Sequence, residues 1–475
     1  MTISSTRRVA VIGAGASGVF SAAHLILHGI EVEVFERSAA PGGVWLYDER
    51  PAISPPFPSM KPSQADPSVQ GLQDVEDIAL RRAPPGPCYE NLKTNVPTQL
   101  MAVTLLDVPL ATPEYVPHGT VLEYIQKISS KYGVSNVTTY GARVEDVKKL
   151  GDKWALTWTM APKHNEDGYL VEGEHQSRQG TTMPLVFLTS MASLESGNYT
   201  HRELCTQSST SAQASLETRE SRKTILIIGG GVSSVDIAKD IPMARCIYQS
   251  TRNSKFDLDP RMLPKNASRV DEVVSFQLNN GGRSLGDDEP LPVSAIMANG
   301  ETLHGMDFIL LCTGYHISLP FLQDYHNDDM RLEEADETIL VTDGTQVHNL
   351  HKDIFYIPDP TLAFVGLPYY TFTHSVFDFQ AITVANVFAG IVQLPQRAQM
   401  KAEYQDKVEE VGLGKNFHSL LNKEEPYVND LVAWINTGRI GRGLKPMEGF
   451  SANWYAAKEA LRQRFREQSK TGDFS

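Results

Sequence analysis

Two stretches of this chain, 8–36 and 224–252, carry the same pattern, and few folds accept it twice. Each begins with a short apolar, β-branched run, turns on glycines, continues with small and apolar residues at helical spacing, and ends in a second apolar run. In the first, Arg8-Val9-Ala10-Val11-Ile12 reads as a buried parallel strand. Gly13-Ala14-Gly15-Ala16-Ser17-Gly18 follows, then Val19, Ala22, Ala23 and Ile26 on a helix, then Glu31 to Phe35 leading into Glu36. In that order the glycines have separate tasks: Gly13 makes the tight turn, Gly15 admits a pyrophosphate to the backbone, and Gly18 lets helix and strand pack closely. The helix N-terminus offers unpaired N–H groups and partial positive charge to phosphates. Glu36 can accept ribose hydroxyls and would repel a 2′-phosphate, so the site suits FAD or NAD and disfavours NADP. Pro41-Gly42-Gly43-Val44-Trp45 tips the choice toward FAD: paired glycines let backbone lie on a ligand, and Trp45 can cover a ring.

The second stretch starts at Thr224-Ile225-Leu226-Ile227-Ile228 and turns on Gly229-Gly230-Gly231-Val232-Ser233-Ser234. Ser234 replaces the third glycine and is small enough for fairly close packing. The next run, from Cys246, ends in Ser250-Thr251-Arg252, with no acid where Glu36 stood. An arginine fork beside a hydroxyl matches a 2′-phosphate, so NADPH is expected here rather than NADH. Two dinucleotide folds in one chain suggest hydride passing from NADPH to a flavin.

Composition narrows the alternatives. At 475 residues the chain is long enough for two or three domains. Its formal charge of −14 argues against a broad nucleic-acid or anionic-membrane contact. Cys88, Cys205, Cys246 and Cys312 show no Cys-x-x-Cys spacing, which speaks against a disulfide framework, a zinc site or a dithiol centre, and the histidines show no metal-ligand spacing. With no secretory signal and no long apolar run, a cytoplasmic protein without a transmembrane segment is expected.

At Leu92-Lys93-Thr94-Asn95-Val96-Pro97 the sequence resembles the flavin-containing monooxygenases, which carry a Leu-x-Thr-Asn-x-Pro signature. Arg143-Val144-Glu145-Asp146-Val147 with Trp154 resembles the family's strand near the FAD adenine. Leu311-Cys312-Thr313-Gly314-Tyr315 resembles its Ala-Thr-Gly-Tyr element, and Thr361 to Leu367 with Phe379-Gln380-Ala381 resembles its returning FAD segment. The likeness covers about residues 7–160 and 222–440. It implies that Gly13, Gly15, Gly18, Glu36, Arg37, Gly43, Trp45, Thr94, Val144 and Gln380 hold FAD. It further implies that Gly229, Gly231, Ser233, Ser234, Thr251, Arg252, Thr313 and Gly314 hold NADP, with Asn95 as the catalytic group. The implied chemistry is oxygenation of a nucleophilic sulfur- or nitrogen-containing small molecule by O₂, through a C4a-hydroperoxyflavin that bound NADP⁺ shields from water. A Baeyer–Villiger or N-hydroxylating monooxygenase is the nearest alternative; an uncoupled NADPH oxidase or an inactive homologue is another.

Other features stay bland or depart from the family. His374 and Asp378, four apart, read more readily as a surface or capping contact than as a catalytic pair. Asp66–Pro87 reads as a Pro-rich connection without a strong pattern. The family's Phe-x-Gly-x-x-x-His motif is missing, and 189–222 is Ser/Thr-rich without periodicity, which reads as loop. Either the linker is replaced, or the segment is an artefact of a shifted frame or misplaced splice boundary, the latter being favoured. The fold expected is α/β: two doubly wound Rossmann-like domains, the NADPH domain (171–330) inserted in a discontinuous FAD domain (1–170 and 331–475) that ends in helices. Substrate and oligomeric state stay open, a homodimer included.

Overall fold

Where β-branched runs meet glycine turns, parallel strands form. The computed structural model describes residues 8–50, 53, 61–66, 69, 72, 74–164, 170–171, 175–181, 185–188, 191–194, 223–279 and 290–471. The elements used below are, in chain order, β1 (Arg8–Ile12), α1 (Ala16–Leu27), β2 (Glu31–Glu36), α2 (Val75–Arg82), α3 (His118–Lys131), β3 (Thr138–Tyr140), β4 (Ala142–Leu150), β5 (Lys153–Met160) and β6 (Leu185–Leu188). Then come β7 (Thr224–Ile228), α4 (Val232–Asp240), β8 (Cys246–Ser250), β9 (Ala267–Val270) and β10 (Phe308–Leu311). The last are β11 (Leu350–His351), β12 (Phe355–Tyr356), β13 (Leu362–Val365), α5 (Thr373–Phe388), α6 (Arg397–Val411), α7 (Glu424–Gly441) and α8 (Ala452–Thr471).

Two units divide these elements. The first takes residues 1–48, 61–191 and 317–462 and holds a seven-stranded sheet of order β11-β12-β13-β6-β1-β2-β3. β1 runs parallel to both β2 and β6, and β13 runs parallel to β6. Its core buries Val9, Val11, Phe20, Leu25, Val376, Phe388 and Trp454, so α1 and α5 lie on one face of the sheet. The second unit contains residues 192–316, with a parallel sheet of order β9-β8-β7-β10. Ile225, Ile227, Ile237, Ile241, Ile247 and Leu310 pack one of its cores. Both units are α/β: the second sheet is parallel, and the first is parallel from β13 to β3 with an antiparallel edge at β11-β12-β13.

Two expectations need correction. The 66–87 connection contains a helix, α2, whose N-cap Asp74 accepts the amides of Glu76 (2.8 Å) and Asp77 (3.2 Å). Acids in its first turn and arginines in its last complement the helix dipole. Within 189–222, read as loop, the backbone of Met191–Leu194 is a strand; the rest of that segment lies outside the described residues. The last two described helices are α7 and α8, and Phe450 stacks on Trp454 at 3.7 Å to bring α8 into the core of the first unit.

Buried histidines make stability pH-dependent. His348 and His374 are each 2% exposed, and burial pushes both down to about 4, with His418 adding to the effect at His348. Above the ordinary value of 6.5 these two side chains are neutral in both folded and unfolded chains and give no pH dependence. Between about 6.5 and 4 only the unfolded chain takes up protons, so stability falls on acidification by about 1.4 kcal/mol per pH unit per histidine. Thermal melting followed at steps through that window is expected to shift steadily downward; a flat profile would contradict it.

Candidate functional site

The first glycine turn is built between β1, α1 and β2. Gly13 N donates to Phe35 O (2.7 Å), tying the turn to the neighbouring strand. Buried Glu36 stands at the end of β2. Its carboxylate accepts the amides of Ala14 (2.5 Å) and Ser38 (2.7 Å), and each oxygen keeps lone-pair capacity for a further donor. Gly18 is buried in α1, as close packing of helix on strand requires.

The Gly42–Gly43 loop closes on this turn. Gly42 N donates to Ala14 O (2.9 Å). A Cβ on Gly43 would stand 2.7 Å from the Gly15 Cα, and Gly43 has φ +56. Only glycine permits that backbone-to-backbone approach without strain. Trp45 follows, half-buried, with its ring edge-on to His374 at 5.9 Å.

Arg37, next to Glu36, lies 4.0 Å from Asp66, which also pairs with Arg143 at 3.4 Å. Val144 is buried on β4 opposite Trp158, whose ring lies 4.8 Å from Phe35. Thr94 is buried and doubly pinned: its N–H donates to Val116 O (2.9 Å) and its Oγ1 accepts Val116 N–H (3.1 Å). The pinning fixes the backbone from which Asn95 projects its exposed side chain. Gln380 is fully buried; its Oε1 accepts Gly366 N–H (3.0 Å) and its Nε2 donates to the Tyr427 hydroxyl (2.7 Å). The Gln380 carboxamide therefore holds the Gly366 turn.

His374 and Asp378 do not form the surface or capping contact expected of them. Both are buried. Asp378 accepts His24 Nε2 (2.7 Å) and Thr104 N–H (2.7 Å), whereas neither ring nitrogen of His374 has a partner. Helical spacing alone did not show which way either side chain faces.

In the second unit Gly229 has φ +128, and a Cβ there would stand 2.2 Å from the Cys312 carbonyl oxygen. Cys312 N donates to Ile228 O (2.7 Å), so Thr313 and Gly314 leave β10 directly beside the turn. Ser234, at the third glycine position, donates to Gly231 O (2.7 Å) and accepts Gln249 Nε2 (2.8 Å), while Gln249 Oε1 accepts Arg269 Nε (2.9 Å). The serine thus ties helix to strand by hydrogen bonds where glycine would only allow approach. Ser233 is exposed on the first turn of α4. Thr251 is buried with its Oγ1 accepting Asn253 N–H (3.3 Å). The Arg252 side chain is 72% exposed, 4.0 Å from Glu272. Asp257 was not anticipated: Leu258 N donates to Gly230 O (2.8 Å), and a Cβ on Gly230 would lie 2.4 Å from the Asp257 carboxyl carbon.

Burial pushes the Cys312 thiol up to about 12 and the Cys88 thiol up to about 11, so both stay protonated and unreactive near neutrality. Among the described residues no three His, Cys, Asp or Glu side chains gather as a metal-binding group, and no helix is long and apolar enough to cross a membrane.

Two sheets, each with parallel strands and a strand–glycine turn–helix at its centre, define a fold with two dinucleotide-binding units. A family model described as NAD(P)-binding Rossmann-like domain matches residues 11–57, and one described as flavin-binding monooxygenase-like matches residues 289–438. The chain is 49% identical to flavin-containing monooxygenase ustF2 of Aspergillus flavus, with 98% of each chain covered. It is 36% identical to ustF1 of the same organism, over 97% of this chain and 91% of that one. Among solved structures it is similar to S-allyl-L-cysteine S-oxygenase from Allium sativum (TM-score 0.66, 20% identity, 99% of this chain and 95% of that chain). It is also similar to Tmm from Pelagibacter sp. (TM-score 0.62, 17% identity, 90% and 86%). The chain belongs to the flavin-containing monooxygenase family. It is a flavin-dependent monooxygenase, and these matches support FAD and NADPH as its cofactors.

Proposed function

We propose that FAD occupies the first glycine turn and NADPH the second, and that the enzyme transfers one oxygen atom of O₂ to a nucleophilic sulfur- or nitrogen-containing small molecule. The observation that carries this reading is the opposite chemistry after the two second strands. A buried carboxylate, Glu36, ends β2, whereas an exposed guanidinium, Arg252, follows β8. The first favours ribose hydroxyls, and the second favours a 2′-phosphate.

The residues of the first turn fit FAD. The approach of Gly42–Gly43 to Ala14–Gly15 leaves backbone, without side chains, facing the place where a pyrophosphate lies in this motif. Gly13, Gly15, Gly18, Glu36, Arg37, Gly43, Trp45, Thr94 and Val144 would hold FAD, with Gln380 acting through the Gly366 backbone. Gly229, Gly231, Ser233, Ser234, Thr251, Arg252, Thr313 and Gly314 would hold NADPH. When bound, FAD supplies the two-electron chemistry that links NADPH oxidation to O₂ activation. The Asn95 carboxamide donates hydrogen bonds without surrendering a proton, as suits a group beside an oxidant that protonation would discharge. In this reading the unit that holds residues 61–191 and 317–462 is the FAD domain and the unit that holds 192–316 is the NADPH domain. Free thiols at Cys88, Cys246 and Cys312 accord with a cytoplasmic enzyme.

Anaerobic flavin reduction tests the assignment. In Arg252→Ala the NADPH concentration for half-maximal reduction rate is expected to rise about tenfold or more, as loss of a charge-assisted contact predicts, with NADH unaffected. Equal effects on both nucleotides, or none on either, would refute the second-site assignment. Asp257 sets its carboxylate against the same turn, so Asp257→Ala is expected to tighten NADP⁺ binding about threefold or more by removing a like charge. Weaker binding on titration would show instead that Asp257 shapes the site.

A further inference from the structure

His374 is an expensive residue to leave as it stands. It occupies the first turn of α5, at 2% exposure, and neither Nδ1 nor Nε2 has a hydrogen-bond partner. Three residues earlier the buried Thr371 Oγ1 also lacks one. A buried polar atom without a partner has given up its hydrogen bonds to water and gained none in return. The imidazole is enclosed by aromatic rings: Phe20 of α1 edge-on at 5.8 Å and Trp45 edge-on at 5.9 Å. Burial pushes it down to about 4, so near neutrality it is neutral, with one N–H to donate and one lone pair to receive.

The surroundings say what completes it. Phe20 lies in the helix that begins at the first glycine turn, and Trp45 ends the Gly42–Gly43 loop hydrogen-bonded to that turn. Asp378, one helical turn beyond, is already taken by His24 and Thr104. The helix N-terminus adds partial positive charge that favours an oxygen acceptor.

We propose that His374 is a FAD-binding residue, its neutral imidazole donating one ring N–H to an oxygen of the bound cofactor. The assignment rests on the reading of the first turn as the FAD site. A histidine that merely packs would gain from replacement by phenylalanine; one that waits for a ligand would lose that ligand.

The test compares wild type, His374→Phe and His374→Gln by apoprotein melting temperature, by FAD titration and by the visible spectrum of bound flavin. In His374→Phe the apoprotein is expected to melt at or above the wild-type temperature while the FAD dissociation constant rises about tenfold, and NADP⁺ binding does not move. His374→Gln, which keeps a donor and an acceptor, is expected to retain FAD within about threefold of wild type. A displaced flavin absorbance band places the contact at an isoalloxazine carbonyl, and an unchanged band with weakened binding places it at the phosphate or ribityl oxygens. Unchanged FAD affinity in a folded His374→Phe protein overturns the proposal. If His374→Phe does not fold, loss of FAD from a folded His374→Gln protein overturns it, and retention supports it. Failure of the wild-type protein to bind FAD at all would instead overturn the reading of the first site.

Discussion

Gly229→Ala is expected to destabilise the second unit by about 3 kcal/mol or more and to abolish NADPH-dependent flavin reduction, whereas Gly231→Ala leaves the fold intact. The contrast follows from geometry. A methyl on Gly229 would lie 2.2 Å from the Cys312 carbonyl oxygen and 2.7 Å from its carbon, at φ +128. Neither atom belongs to a flexible side chain, so the ends of β7 and β10 must part. Gly231 has φ −85, and a methyl there meets nothing within 4 Å. Its substitution is expected to weaken NADPH binding by crowding the phosphates, with unfolding unchanged within about 0.5 kcal/mol. Thermal melting and NADP⁺ titration of the two variants separate these effects; equal losses of stability would contradict the assignment of roles.

Asp353→Ala is expected to destabilise the first unit by about 3–5 kcal/mol, a fall in melting temperature of about 10 °C. Asp353 is 1% exposed. Its Oδ1 accepts His418 Nδ1–H (2.9 Å) and Lys407 Nζ–H (2.6 Å), and Oδ2 accepts Lys407 again (2.7 Å). Burial works to raise this carboxyl, but Lys407 and His418 outweigh it and hold it below the ordinary carboxylate range. His418 in turn accepts Val347 N–H at Nε2 (3.0 Å), so one carboxylate joins α6, the 346–353 segment and the 417–420 turn. Truncation strands a lysine and a histidine; Asp353→Asn, which keeps an acceptor at the same positive φ of 57, is expected to lose less. Equal losses in the two variants would show that the network matters only through packing.

Much of this architecture was legible because local and tertiary requirements coincide at the glycine turns. Val9 to Ile12 and Ile225 to Ile228 had to be buried parallel strands: their β-branched runs end in residues that only a tight turn explains. The ordered motifs from Leu92 to Gln380 led to the family for the same reason. What stayed hidden depends on contacts distant in sequence. Nothing near Asp257 shows that its carboxylate lies on Gly230, because that needs the path of the 251–258 loop. His374 looks like any helical histidine until Phe20 and Trp45 close around it. The α2 cap at Asp74 was readable but was masked by the prolines around it.

The most direct measurement is the absorbance of the purified, flavin-loaded protein, mixed first with NADPH without oxygen and then with air-saturated buffer. NADPH is expected to bleach the flavin band faster than NADH does, and oxygen to produce a lasting absorbance that is neither oxidised nor reduced flavin. No bleaching by NADPH, or immediate return to oxidised flavin with one hydrogen peroxide released per NADPH, would contradict the account of this chain as a working monooxygenase.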